Sequence, residues 1–379
     1  MRPVDRGGQG TYPQNVDLTS QQTLNNSLDH ITVTYLNQAA PKAQKLWGTS
    51  SPTASQVLRA LYRLLFWDPS APPPAKKQKG VPADADVSAV KETLTNKLAD
   101  LYGAAAAPLE DNMGRFCSFC ETYVTGVLAV EHIVPKAPYP FFYLAWENFL
   151  LGCTMCNSNK LSKPPRSDPL FTPKPTEELG YYTTILNSYL WPHHYNNVYR
   201  SLTPQLQYHN GTTWKKVGYP VADGTIRTSK TVATRVIRGD VLVSTGQGTG
   251  QAWRLNVPVR VWLVPNTPRA TRLVDMLGLN KDSTRTDLRV WDRTLHWFKV
   301  VAALQKLRNA GDFDDAWEMM MGQVQQPGLY TNWVAAIDAM GPGGSWLVPG
   351  GGGQTVMARF LAEIVGEDYF PGTDTANTP

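Results

Sequence analysis

All four cysteines of the 379-residue chain lie between Cys117 and Cys156, as two Cys-x-x-Cys pairs, Cys117–Cys120 and Cys153–Cys156, with 32 residues between them. No other feature restricts the fold as strongly, because four thiolates from two knuckles suit one tetrahedral zinc ion. A closed four-cysteine site is structural rather than catalytic. Two disulfides are the alternative pairing. The start "MRPVDRGGQG" has no apolar signal core, and no apolar run approaches the length of a membrane span. The expected setting is therefore cytoplasmic, away from the membrane and reducing, where such pairs bind metal.

The flanking sequence sorts into segments. Residues 1–67 read as a helical N-terminal region, with apolar faces in "SQQTLNNSLDHITVTYLNQAAPKAQKLW" and "TASQVLRALYRLLFW". Residues 68–86, proline-rich and then lysine-rich, form a linker with little that packs. Residues 87–175 hold a helix, with Val87, Val90, Leu94, Leu98 and Leu101 at helical spacing, followed by the cysteine segment. Within that segment "YVTGVLAVEHIV" reads as a hairpin about its glycine, and "WENFLLGCTMCNSNK" as an apolar turn leading into a helix. Residues 176–310 are β-rich and then helical, with a hairpin signal at His209-Asn210-Gly211. The Gly-x-Gly-x-Gly at 246–250 sits between strands and opens no helix, so it is no nucleotide loop. Residues 311–379 are helical around a glycine-rich loop, "GPGGSWLVPGGGG". The expected class is α+β, a strand pair and helix held by zinc between a helical N-terminal region and a mixed C-terminal region.

Charge divides along the chain. From Arg200 to Ala310 there are 18 Lys/Arg against 6 Asp/Glu, whereas Gly311 to Pro379 holds 9 acidic residues against Arg359 alone. A basic stretch of this kind suits a polyanion, although an arginine-rich solvated surface has the same composition. The tryptophans of "AWRLNVPVRVWLV" alternate as in a half-buried strand, which favours packing over base stacking.

Structural zinc has no need of His132. That residue follows Glu131, precedes Asn148 by 16 positions, and shares the segment with Asn157, directly after the fourth cysteine. Glutamate, histidine and an asparagine carbonyl are what a site needs to hold one hard divalent cation and deprotonate a water. At these residues the chain resembles the HNH endonucleases, of the His-Me finger or ββα-metal class with zinc knuckles. The family pattern is Cys-x-x-Cys, Asp/Glu-His-x-x-Pro, Asn, then Cys-x-x-Cys-His/Asn-x-x-Lys. Here it reads Cys117–Cys120, Glu131-His132 through Pro135, Asn148, and Cys153–Cys156 through Asn157 and Lys160. Glu131 stands for the commoner aspartate, and Asn157 for the commoner final histidine. "MRPVDRG", "MGRFCSFCE" and "LVDMLGLN" further resemble a bacterial subgroup that includes the nuclease of the Septu-type anti-phage system.

The resemblance implies a DNA phosphodiester hydrolase. His132 would be its general base, Glu131 and Asn157 ligands of a catalytic Mg²⁺ or Mn²⁺, and Asn148 the tie that fixes the loop around His132. Lys136 and Lys160 are candidate phosphate contacts. The subgroup implies an antiviral effector with a regulatory ATPase or sensor as partner. One such site cuts one strand, so a double-strand break calls for a homo-oligomer or two visits. His193 and His194 read as a structural pair in an aromatic loop. The rival reading is a zinc-knuckle nucleic-acid-binding module without catalysis, for which Glu131, His132 and Asn157 together have no use.

Overall fold

A computed structural model describes residues 5–7, 18–24, 26, 102–126, 128–136, 138–194, 198–217, 227–231, 234–244, 252–281, 287–324, 328–341 and 344–366. The expected N-terminal helices beyond residue 26, the linker 68–86, the helix over 87–101 and the glycine repeat at 246–250 lie outside these residues.

Helix α1 (Ala106–Met113) buries Leu109 and Met113 and ends at Gly114 (φ 68°). Phe116 and Tyr123 then bridge across the first cysteine pair. Strand β1 (Ala129–His132) runs antiparallel to β2 (Phe149–Gly152), in the register Ala129 to Gly152 and His132 to Phe149. Helix α2 (Thr154–Lys160) follows at once. The strand pair and helix are thus present, but the described residues of "YVTGVLAVEHIV" do not close on themselves as a hairpin. Its second half pairs instead with Phe149–Gly152, read from the sequence as a turn. All four residues of β2 are buried. A strand covered on both faces loses the alternation that marks strands in sequence.

Helix α3 (Glu178–Ser188) packs its Tyr181, Tyr182 and Ile185 into the same core. A five-stranded antiparallel sheet comes next: β3 (Leu202–His209), β4 (Trp214–Lys216), β5 (Arg227–Thr231), β6 (Thr234–Ser244) and β7 (Ala252–Pro265), in the order β4-β3-β7-β6-β5. The β3–β4 turn is the one marked by His209-Asn210-Gly211. Asn210 Oδ1 accepts from the backbone N–H groups of Thr212 and Thr213 at 3.1 and 2.9 Å, which is the reason asparagine suits such turns.

Helices α4 (Pro268–Leu277), α5 (Arg289–Arg308), α6 (Phe313–Met321), α7 (Tyr330–Met340) and α8 (Val356–Gly366) complete the fold. Helix α6 is capped by Asp312, whose carboxylate accepts from Asp314 and Asp315 N–H. Helix α7 is buried over nearly every residue, so it shows no amphipathic stripe in sequence. Buried side chains form two clusters. The first gathers α1, the β1–β2 pair, α2, α3 and α4, and the second gathers the sheet with α5 to α8.

Gly328 joins them. Its φ of 69° lies in the left-handed region, and a Cβ added there would stand 2.2 Å from the Glu121 carbonyl. Only glycine allows the segment before α7 to lie against the first cysteine knuckle. Among the described residues, no helix is long and apolar enough to cross a membrane.

A candidate metal centre beside a buried glutamate–histidine pair

The four cysteines converge. Their sulfur atoms all lie within 4.8 Å of one another, and Cys120 and Cys153 Sγ are 3.7 Å apart. A disulfide needs about 2.05 Å. Zinc–sulfur bonds of about 2.3 Å place tetrahedral ligands about 3.8 Å apart. The spacing therefore fits a metal ion such as zinc.

The first knuckle is shaped by Glu121, which turns through φ 64° and returns its N–H to the Cys117 carbonyl at 2.9 Å. The second opens α2, with Cys153 at the N-cap accepting from Cys156 N–H at 3.5 Å. Hydrogen bonds from the other three cysteines lower the Cys153 pKa, while burial raises that of Cys117. Four crowded thiols do not all ionise without a cation, and a dication supplies the missing charge.

Arg289, near the start of α5, extends the centre. Its Nη1 donates to Cys156 Sγ at 3.3 Å and to the Leu277 carbonyl at 3.0 Å, and Nη2 donates to the Gly278 carbonyl at 2.9 Å. Asp287 grips the guanidinium through both oxygens, at 2.9 and 2.6 Å. One buried arginine thus joins the second knuckle, the end of α4 and the start of α5. Nothing in the sequence separates Arg289 from the other basic residues of its stretch.

His132 closes β1, four per cent exposed. Its Nε2 lies 2.9 Å from the Tyr143 carbonyl. A carbonyl only accepts, so this contact assigns the proton to Nε2 and leaves Nδ1 with its lone pair. Among the described residues Nδ1 has no hydrogen-bond partner. Burial pushes the imidazole pKa down to about 3; Lys136 and Lys160 add to this and the Tyr143 carbonyl opposes it. The rings of Tyr102, Tyr143 and Phe149 surround His132 at 5.0, 5.3 and 5.2 Å between centroids. Sequence reasoning missed both tyrosines; the aromatic run "PYPFFYLAW" was the available signal for Tyr143.

Asn148, fully buried, ties down the loop between the strands. Its Oδ1 accepts from Val134 N–H at 2.7 Å, and its Nδ2 donates to the carbonyls of Val134 and Phe142 at 3.0 and 2.9 Å. The latter carbonyl directly precedes Tyr143, so the tie controls the residue that orients His132.

Glu131 and Lys160 meet in an ion pair of 2.8 Å, enclosed by protein. The Lys160 side chain has no exposed surface, so in this arrangement it faces the carboxylate and not a phosphate. Burial lowers its pKa and Glu131 opposes that. Lys136 lies at the edge of the site, half-buried, 4.7 Å from the Tyr102 ring and 5.4 Å from that of Tyr143. Asn157, half-buried on α2, makes no side-chain hydrogen bond among the described residues and stands one turn before Lys160. His193 and His194, with rings 6.1 Å apart, lie beside Arg6 and do not join the contacts of His132.

Glu131 offers a carboxylate and Asn157 an amide oxygen, donor types that Mg²⁺ or Mn²⁺ accepts. The carboxylate is at present neutralised by an ammonium, which a divalent cation would have to displace.

No family model, curated protein or solved structure matches this chain.

Proposed function

We propose that this chain is an HNH-type endonuclease that hydrolyses phosphodiester bonds of DNA, its ββα unit pinned by a structural zinc ion. The observation that carries the reading is the state of His132. A histidine kept neutral by burial, with its tautomer assigned by the Tyr143 carbonyl, presents Nδ1 as a base. A buried histidine serving packing alone gains nothing from a neighbouring buried glutamate and a 16-residue loop tied by a buried asparagine.

In this reading His132 Nδ1 takes a proton from water aimed at a phosphorus atom. Tyr143 holds the ring, Asn148 holds the loop that carries Tyr143, and Glu131 with Asn157 would hold the divalent cation. When bound, that cation supplies stabilisation of the charge building on the phosphate oxygens. Lys136, beside Tyr102, would meet a phosphate. A role as a defence effector beside an ATPase or sensor rests on the sequence resemblance alone.

Nicking of supercoiled plasmid by purified protein, present in Mg²⁺ or Mn²⁺, lost in EDTA and lost on His132→Ala, tests the proposal. Metal-independent DNA retention without cleavage would favour the zinc-knuckle binding module instead.

A further inference from the structure

The five-stranded sheet has two unlike faces. On one, Leu206, Val259, Val261 and Leu263 are buried; Val261 N–H donates to Thr294 Oγ1 of α5 at 2.8 Å. On the other, cross-strand register sets Gln207 opposite Arg260 and Lys216, and His209 opposite Trp214. Trp262 lies two residues beyond Arg260, on the same face.

There the Arg260 guanidinium is clamped between two indoles. Its carbon lies 4.1 Å from the centroid of the Trp214 ring and 3.6 Å from that of Trp262, and its Nε donates to Gln207 Oε1 at 3.1 Å. Trp214, Arg260 and Trp262 all keep partial exposure, and Lys216 is exposed. Two large rings left partly in water forgo burial that the opposite face secures for its aliphatic residues. The clamp also fixes their orientation, so little side-chain freedom remains to be lost when something docks.

The charge of this face is positive. Arg238, half-buried, falls on it by alternation from the buried Ile237. Rigid, partly exposed indoles beside arginine and lysine match a ligand with flat apolar rings on an anionic backbone. In a duplex the ring faces are hidden by stacking; in a single strand they are free.

We propose that this face binds single-stranded nucleic acid, with bases against Trp262 and Trp214 and the phosphate backbone along Arg260, Lys216 and Arg238. Its purpose rests on the nuclease reading, in which it would hold a strand for the HNH-type site; the binding itself does not. Sequence alternation alone favours packing for Trp262. The register and the clamp show that Trp262 and Trp214 share the partly exposed face.

Fluorescence anisotropy with a labelled oligothymidylate and a blunt duplex, both in EDTA so that no cleavage intervenes, tests this. The expected result is preference for the single strand, with quenching of tryptophan fluorescence. Trp262→Ala should weaken binding about 5- to 150-fold, the range that corresponds to loss of one stacked base. Trp262→Phe should retain most of it, and exposed Lys216→Glu should weaken it and flatten its salt dependence. His132→Ala should bind as the wild type does, which separates this proposal from the catalytic one. Absence of single-strand binding, equal affinity for the duplex, or full affinity in folded Trp262→Ala and Lys216→Glu would overturn it.

Discussion

Glu131 and Lys160 face each other at 2.8 Å with side chains seven and zero per cent exposed, so each is the other's charge balance inside the protein. The carboxylate comes from β1 and the ammonium from the last turn of α2, and the pair ties strand to helix directly behind His132. Breaking such a pair by removing one partner leaves a buried charge and costs about 3–5 kcal/mol. Glu131→Met and Lys160→Met should each show that loss by urea unfolding of the zinc-loaded protein. The double substitution should be far less damaging than the sum of the two. Additive losses would mean that the pair is not coupled in solution.

The four-cysteine cluster, which could hold a zinc ion, gives a separate prediction. One zinc per chain should be released when a mercurial titrates the four thiols, read with a colorimetric metal indicator. Cys120→Ser should lower the stoichiometry and the thermal midpoint together, since metal binding to such knuckles is folding free energy. Arg289→Met should leave the stoichiometry at one while loosening the ion, because it removes the donor to Cys156 Sγ and no ligand.

Asn148 spends all three of its side-chain hydrogen bonds on the loop that carries Tyr143. Asn148→Ala removes them and leaves buried backbone groups of Val134 and Phe142 unpaired, at about 1–3 kcal/mol for each group. The expected outcome is a destabilised protein whose cleavage falls further than its folded fraction, because Tyr143 no longer orients His132. Cleavage that tracks the folded fraction alone would reduce Asn148 to a structural tie.

The cysteine cluster was fully legible in sequence, because ligand spacing along the chain is the same information as ligand convergence in space. The ββα unit was legible in type. The partner of β1 was not, since the all-buried β2 looks like any short apolar run. Lys160 shows a second limit. A lysine in a basic motif reads as exposed, and only the path of α2 against β1 turns it inward onto Glu131. Arg289 was invisible for the same reason: its partners come from three separate places in the chain. The knuckle cysteines, Asn148 and His132 announce themselves by spacing, whereas buried charges are defined by what happens to pack around them.

Acid should destabilise the fold in a defined window. His132 and His296 both have folded-state pKa values lowered by burial to about 3, from 6.5. A histidine of this kind contributes full stability above about pH 6.5 and loses it as pH falls toward 3, since the unfolded chain takes up the proton first. Each should cost about 1.4 kcal/mol per pH unit across that window. Urea midpoints measured between pH 7 and 4 should therefore fall, and His296→Gln should reduce the slope by about one proton. The same shift predicts that the base stays deprotonated at mild acidity, with the acid limb of any cleavage lying well below pH 6.5.

The role of His132 as the base is tested by comparing wild type and His132→Ala on supercoiled plasmid in Mg²⁺, Mn²⁺ and EDTA, with zinc content and circular dichroism measured on the same preparations. Metal-dependent nicking by the wild type, and none by a variant that is folded and holds equal zinc, is the expected result. Equal cleavage by the two proteins, or none by a wild type that is folded and zinc-loaded, would contradict it.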